Sequence, residues 1–290
     1  MGELFAALER ALGTALAFFY DLVPSFGMAI ILLTVAINLV LFPLTLRQTR
    51  ATRAFQEIQP EIKRIQKEYK DDPETMQREL MRVQREAGAT PGGCLLPLIV
   101  QFPIWLALFR VLNNVSQIAS GANGQTFLPE DSALLAAIRS GETTFLGMDL
   151  GTPMSSGILA GLPTAIPYAL MLVLMVASQY IQQWHATRGR ITDQALTDQQ
   201  RQQQQTQQML TRIMPLFIGF ISWNFPAGLV LYWTTSNVFR LGQQFVIFAI
   251  DGRPESPKPP TQAEDRPGEA ESPRKRPQAV SQKKRRRRRR

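Results

Sequence analysis

Long charge-free apolar runs alternate along this chain with short segments crowded with charge, and that alternation predicts its elements. A bilayer core about 30 Å thick needs about 20 helical residues to cross it. Residues 28–46 form one uncharged run of that size, residues 95–115 a second, interrupted by Arg110, and residues 163–184 a third. Residues 213–239 carry no charge, and apolar sequence resumes over 241–250. That last stretch is too long for one crossing at about 1.5 Å per residue. Asn224-Phe225-Pro226-Ala227-Gly228 interrupts it with helix breakers and a turn signal, so two helices joined by a tight hairpin are expected. The fold class predicted is an all-α integral membrane protein with five transmembrane helices.

Basic residues orient the spans, because cytoplasmic loops carry an excess of Lys and Arg. Residues 47–93 hold ten basic side chains, 186–212 hold four, and the tail after Asp251 holds fourteen. The segment 116–162 has Arg139 alone, against Glu130, Asp131, Glu142 and Asp149. The chain then divides into an N-terminal extracytoplasmic or interfacial helix (1–27), a first span (28–47), a cytoplasmic helical hairpin (48–93) and a second span (94–115). An extracytoplasmic loop (116–162), a third span (163–184), a cytoplasmic loop (185–208), a fourth span (209–224), a fifth span (226–250) and a disordered basic cytoplasmic tail (251–290) follow. The N-terminus is expected outside and the C-terminus in the cytoplasm. Glu3, Glu9 and Asp21 interrupt the start and no basic leader precedes it, so the first span rather than a cleaved signal is expected to enter the membrane.

Within 48–93, Phe55, Ile58, Ile62, Ile65 and Tyr69 recur at spacings of three and four, the seam of a coiled coil. Asp71-Asp72-Pro73 breaks the helix, and Met76, Leu80 and Val83 continue the stripe. Two short antiparallel helices zipped along this seam are expected, serving as a cap on the bundle, as an exposed recruiting arm, or as both. The outer loop has one expected short helix near Leu134–Arg139 and no recognisable chemistry. The tail lacks large apolar residues and cannot bury a core. It ends in Lys283, Lys284, Arg285, Arg286, Arg287, Arg288, Arg289 and Arg290, a run that seeks ribosomal RNA or anionic lipid headgroups.

Polar residues recur inside the apolar runs. Thr34, Asn38 and Thr45 share one helix face in the first span, Gln101 lies four residues after Pro97, and Trp233, Asn237, Arg240 and Gln244 form one stripe in the fifth. Such residues are costly in hydrocarbon and face a bundle interior or a wet cavity. One Cys and one His cannot build a metal centre. No Ser/His/Asp set, paired intramembrane carboxylates or phosphate-binding Gly loop is present, so no catalytic residue, cofactor or metal is expected. A small-solute channel or transporter remains an alternative, without an internal repeat to favour it, as does an assembly factor that only docks on a translocation channel.

Pro43-Leu44-Thr45, Gln59-Pro60, Gly92-Gly93-Cys94 with Pro97, Gln101-Phe102-Pro103-Ile104, Phe225-Pro226-Ala227-Gly228-Leu229-Val230-Leu231-Tyr232 and Ser236-Asn237 carry a resemblance. Over about residues 15–250 the chain resembles the YidC-type membrane protein insertases, in the short bacterial form without a large extracytoplasmic domain, which implies a place in the bacterial inner membrane. The resemblance implies five helices around a hydrophilic groove open to the cytoplasm and to lipid and closed outside. It implies a chaperone-like insertase rather than an enzyme, lined by Thr34, Asn38, Thr45, Gln101, Trp233, Asn237 and Arg240. In that family an Arg of the first span lies in the groove; the matching position here is Asn38. The partners implied are nascent membrane proteins, the ribosome through the basic tail, the secretion translocation channel and membrane lipid.

Overall fold

The computed structural model describes residues 2–88, 96–121, 127–187, 209 and 212–251. Gly92-Gly93-Cys94, most of the 185–208 segment and the basic tail after Asp251 lie outside the described residues. Helices dominate: α1 (Gly2–Leu22), α2 (Phe26–Val40), α3 (Phe42–Glu57), α4 (Gln59–Glu68), α5 (Pro73–Glu86) and α6 (Leu96–Ala119). After them come α7 (Ala133–Arg139), a hairpin of β1 (Thr144–Phe145) and β2 (Met148–Asp149), and α8 (Met154–Leu159). The chain closes with α9 (Leu162–Thr187), α10 (Arg212–Ser222) and α11 (Ala227–Asp251).

Among the described residues Leu162–Trp184 is the single unbroken helix long and apolar enough to cross a membrane. The 28–46 run is not one helix. It breaks at Leu41, and α2 and α3 meet at a bend of 58°. Pro43 explains the break, because its ring displaces the carbonyl four residues back and it has no N–H to give. What remains, α2, is 15 residues long, about 22 Å at 1.5 Å per residue.

α11 packs most extensively, on α2 and on α9, while α1 lies against α2, α6 and α7. α1 is amphipathic for this reason: Leu12, Leu16, Ala17 and Tyr20 are buried along one face, and Phe18 and Leu22 are exposed. Glu9 is buried on that face and accepts from Arg110 Nη1 of α6 at 3.2 Å, while the guanidinium sits 5.0 Å over the Phe5 ring. Arg110 therefore ties two helices together rather than simply reaching for water.

In the polar segment after α3, α5 is capped at its N-terminus. Asp72 accepts from the Thr75 amide at 3.1 Å and from its hydroxyl, with Pro73 in the first turn of α5. Those bonds hold the Asp72 carboxyl below its ordinary range, so the cap is complete at neutral pH and is lost on acidification. Arg78 pairs with Glu74, and Arg82 with Glu79 and Glu86, along the exposed face. α4 and α5 pack on each other through buried Ile62, Ile65 and Val83, with Phe55, Ile58, Tyr69, Met76 and Leu80 half-buried. The first arm is divided between α3 and α4 at Ile58, ahead of Pro60.

The 116–162 segment is far more built than its sequence suggested. Ser132 caps α7 by accepting from the Leu135 amide at 3.3 Å, and Leu134, Leu135 and Ile138 are fully buried. The Tyr168 hydroxyl of α9 accepts from the Asp149 amide at 2.8 Å and donates to its carbonyl at 3.2 Å, fixing β2 on the helix. Residues 150–155 are then stitched to the turn before α11. The amides of Met154 and Ser155 donate to the carbonyls of Phe225 and Trp223, each at 2.9 Å. Those of Ala227 and Gly228 donate to Thr152 and Leu150 at 2.9 and 3.0 Å.

Gly27 is where this built segment, the cap (residues 127–161), meets α2: a Cβ there would lie 2.1 Å from Phe145 Cγ. Gly27→Ala should therefore destabilise the protein by about 1–3 kcal/mol through overpacking, read as a lower unfolding midpoint in detergent. Phe145→Ala in the same chain should recover part of the loss. Equal losses with and without Phe145 would show that the ring is not pressed on the helix.

Candidate functional site

A cleft of about 560 Å³ opens between α6, α9, α10 and α11. Its polarity comes from amides. α6 contributes Gln101 with Phe102 and Trp105, and α9 contributes Gln179, Gln182 and Gln183, which share a face through spacings of three and one. From α11 come Tyr232, Trp233, Ser236, Asn237, Arg240 and Gln244, most of them on a stripe repeating every three or four residues. Met214, Pro215 and Ile218 of α10 supply an apolar wall.

The lining is incompletely satisfied. Gln182 Nε2 donates to the Asn237 carbonyl at 2.7 Å, which links α9 to α11. The Asn237 side-chain Nδ2 and the Trp105 indole N–H, both shielded from solvent, have no hydrogen-bond partner among the described residues. Arg240 forms no ion pair with a carboxylate among the described residues. Buried donors in native proteins are nearly always paired, so a cluster of unpaired donors beside a cleft is a place where acceptors can bind.

Four aromatic rings separate this cleft from the stitched turn. Trp105 stacks on Trp233 with centroids 5.9 Å apart and planes 9° off parallel, and on Phe109 at 5.8 Å. Phe225, in the turn itself, meets Trp233 at 5.8 Å and Phe109 at 5.5 Å edge to face. The cluster closes one end of the cleft with apolar, polarisable surface.

Of the residues singled out from sequence, Gln101, Trp233, Asn237 and Arg240 line the cleft, and Thr34, Asn38 and Thr45 do not. Thr34 and Asn38 are buried on α2 and spend their donors on their own helix, to the Ile30 carbonyl at 2.6 Å and the Thr34 carbonyl at 2.8 Å. Asn38 Nδ2 also reaches Ser236 Oγ at 3.5 Å, and Gln243 Nε2 donates to the Asn38 carbonyl at 3.2 Å, so this polar face seals α2 to α11. Thr45, half-buried on α3, donates to the Leu41 carbonyl at 3.1 Å. Sequence reasoning missed Gln179, Gln182, Gln183 and Ser236. The three glutamines late in an otherwise apolar run were the available signal.

The Trp105–Trp233 stack gives a measurable coupling. Trp105→Leu and Trp233→Leu, made singly and together, should be non-additive by about 0.5–1.5 kcal/mol in thermal unfolding. Strictly additive losses would show that the two rings are neighbours without an energetic link.

Comparison with known proteins bears on this geometry. The family model described as 60Kd inner membrane protein matches residues 18–252. The membrane protein insertase YidC of Treponema denticola is 32% identical over 244 residues, 83% of this chain and 37% of that protein. YidC of Streptomyces avermitilis is 32% identical over 243 residues, 80% of this chain and 53% of its own length. The chloroplastic inner membrane ALBINO3-like protein 2 of Chlamydomonas reinhardtii is 34% identical over 227 residues, 78% of this chain and 50% of its own. The chain thus spans between about a third and a half of the length of these curated relatives. The match runs from the last turns of α1 through the cleft and the stitched turn to the end of α11, and the chain belongs to the 60Kd inner membrane protein family.

Proposed function

We propose that this chain is a membrane protein insertase, which receives a nascent chain in the cleft between α6, α9, α10 and α11 and releases it sideways into lipid. The observation that carries the reading is the pairing of unpaired N–H donors and one guanidinium in the cleft with helix faces outside it that are apolar and exposed, among them Leu170, Val173, Leu174 and Ile181 of α9. A polar segment of an incoming chain meets hydrogen-bond partners there and is spared part of the cost of entering hydrocarbon. Its apolar segment partitions into lipid, gaining about 25 cal/mol for each Å² buried. No covalent step is needed.

In this reading α2 with α3, α6, α9, α10 and α11 are the five spans. The basic loops are cytoplasmic, and the stitched cap is outside. The 15-residue α2 falls short of a bilayer core of about 30 Å, which favours a thinned barrier beside it. The α4–α5 unit caps the cytoplasmic side or recruits partners. The cationic run from Lys283 to Arg290, outside the described residues, binds ribosomal RNA.

Arg240 is the cleft's only cation among the described residues. It lies about 20 Å along α11 from Ala227, and Asn38 lies about 15 Å along the first span from Met28, at 1.5 Å per residue. Arg240 thereby supplies the positive charge that the related insertases place on the first span. Arg240→Ala should slow insertion of a reporter with an acidic tail by tenfold or more, about the loss of one charge-assisted hydrogen bond of 1.5–3 kcal/mol. A reporter with a neutral tail should insert at the ordinary rate. Asn38→Arg in the Arg240→Ala chain should restore the acidic reporter, since Asn38 touches Ser236 of the cleft wall. Undiminished insertion of the acidic reporter by Arg240→Ala would leave the cleft acting through amide polarity alone.

A further inference from the structure

The turn between β1 and β2 places a leucine where physical chemistry disfavours it twice. Leu146 and Gly147 form the two-residue connection, with φ of 50° and 80°. Glycine takes this left-handed backbone freely, and asparagine tolerates it, but a branched apolar side chain is strained there. Among the described residues Leu146 is the one non-glycine with such a φ. The residue is also 72% exposed. The strain is the same in any solvent, whereas the exposure is unfavourable in water.

The position of the turn accounts for the exposure. A Cβ on Gly147 would lie 3.8 Å from Pro167 Cγ, and the next residue, Tyr168, holds Asp149 through both of its backbone polar groups. Pro167 is five residues beyond Leu162, about 7–8 Å along the helix at 1.5 Å per residue. Leu162–Trp184 is the helix long and apolar enough to cross a bilayer, so the turn lies level with the second turn of a span and not above it. Ile166 and Leu170 of α9, close to that level, are exposed and apolar, Thr164 nearer the start of the helix is exposed and polar, and Leu146 is exposed beside this stretch. The β1–β2 ladder and Tyr168 together pair much of the hairpin's backbone, which is the condition for bringing it near hydrocarbon.

We propose that Leu146 is a lipid anchor: its side chain sits among acyl chains of the leaflet that surrounds the first turns of α9, tying the cap to the membrane. The inference rests on α9 spanning the bilayer. The test uses the full chain with Cys94→Ala, reconstituted in vesicles of phosphatidylethanolamine and phosphatidylglycerol, with one spin-labelled cysteine at a time. Leu146→Cys should be accessible to oxygen and shielded from a nickel chelate, several-fold more so than exposed Glu142→Cys just before the hairpin, and in the manner of Val173→Cys on α9. Nickel access at 146 with protection at 173 would overturn the anchor alone. Nickel access at both would overturn the anchor and the span together. Shielding from both reagents at 146 would mean that protein covers the turn, and would also overturn the proposal.

Discussion

Four backbone hydrogen bonds between residues 150–155 and 223–228 set the geometry on which the rest of this molecule depends. A turn between two apolar helices leaves N–H and C=O groups bare, and a buried or membrane-adjacent turn cannot leave them so. Here residues 150–155 supply the partners. Gly228 is part of the solution, since a Cβ there would press on the Leu150 carbonyl at 3.2 Å. With that end fixed, Ala227, Leu229, Val230 and Tyr232 are held in the core, and the helix phase they impose turns Trp233, Asn237, Arg240 and Gln244 toward the cleft. A helix whose first turn slipped by one residue would rotate that stripe by about 100° into its neighbours.

The interior contains two kinds of polarity with opposite consequences. Along the α2–α11 seam, Thr34 donates to a carbonyl of its own helix and Asn38 does so while touching Ser236. Such side chains close a dry contact and contribute modestly to helix association, about 0.6 kcal/mol on average. Around the cleft, donors are left over. A binding site differs from a core in this respect rather than in the number of its polar residues.

Much of this was legible in the primary structure, and the exceptions share a cause. Uncharged runs locate α6, α9, α10 and α11, and Asn224 to Gly228 locates the turn, because charge and helix breakers act locally. Ser132 followed by Leu134, Leu135 and Ile138 marks α7 equally well. The α11 stripe was readable because polar residues at a helical period within an apolar run must share a face. The same period at Thr34 and Asn38 gave the face but not its neighbour, which is a property of packing. The β1–β2 hairpin was hidden for a different reason: its strands are two residues each, and its turn is Leu-Gly where Asn-Gly would have announced it. Pro43 was visible, but whether a proline ends, bends or merely decorates a helix depends on what receives the displaced chain.

The chemistry of the cleft wall has one more implication. Five glutamines, an asparagine, a serine, a tyrosine hydroxyl and two indole N–H groups provide its uncharged polarity, and no Asp, Glu, His, Lys or Cys is among the described residues that line it. Amides offer donors and acceptors in equal measure, yet they neither gain nor lose protons in the range where cells operate. The wall accordingly keeps one charge state whether the two sides of the membrane are at equal acidity or far apart. A site of this composition can respond to a proton gradient only through the charges that its occupant brings.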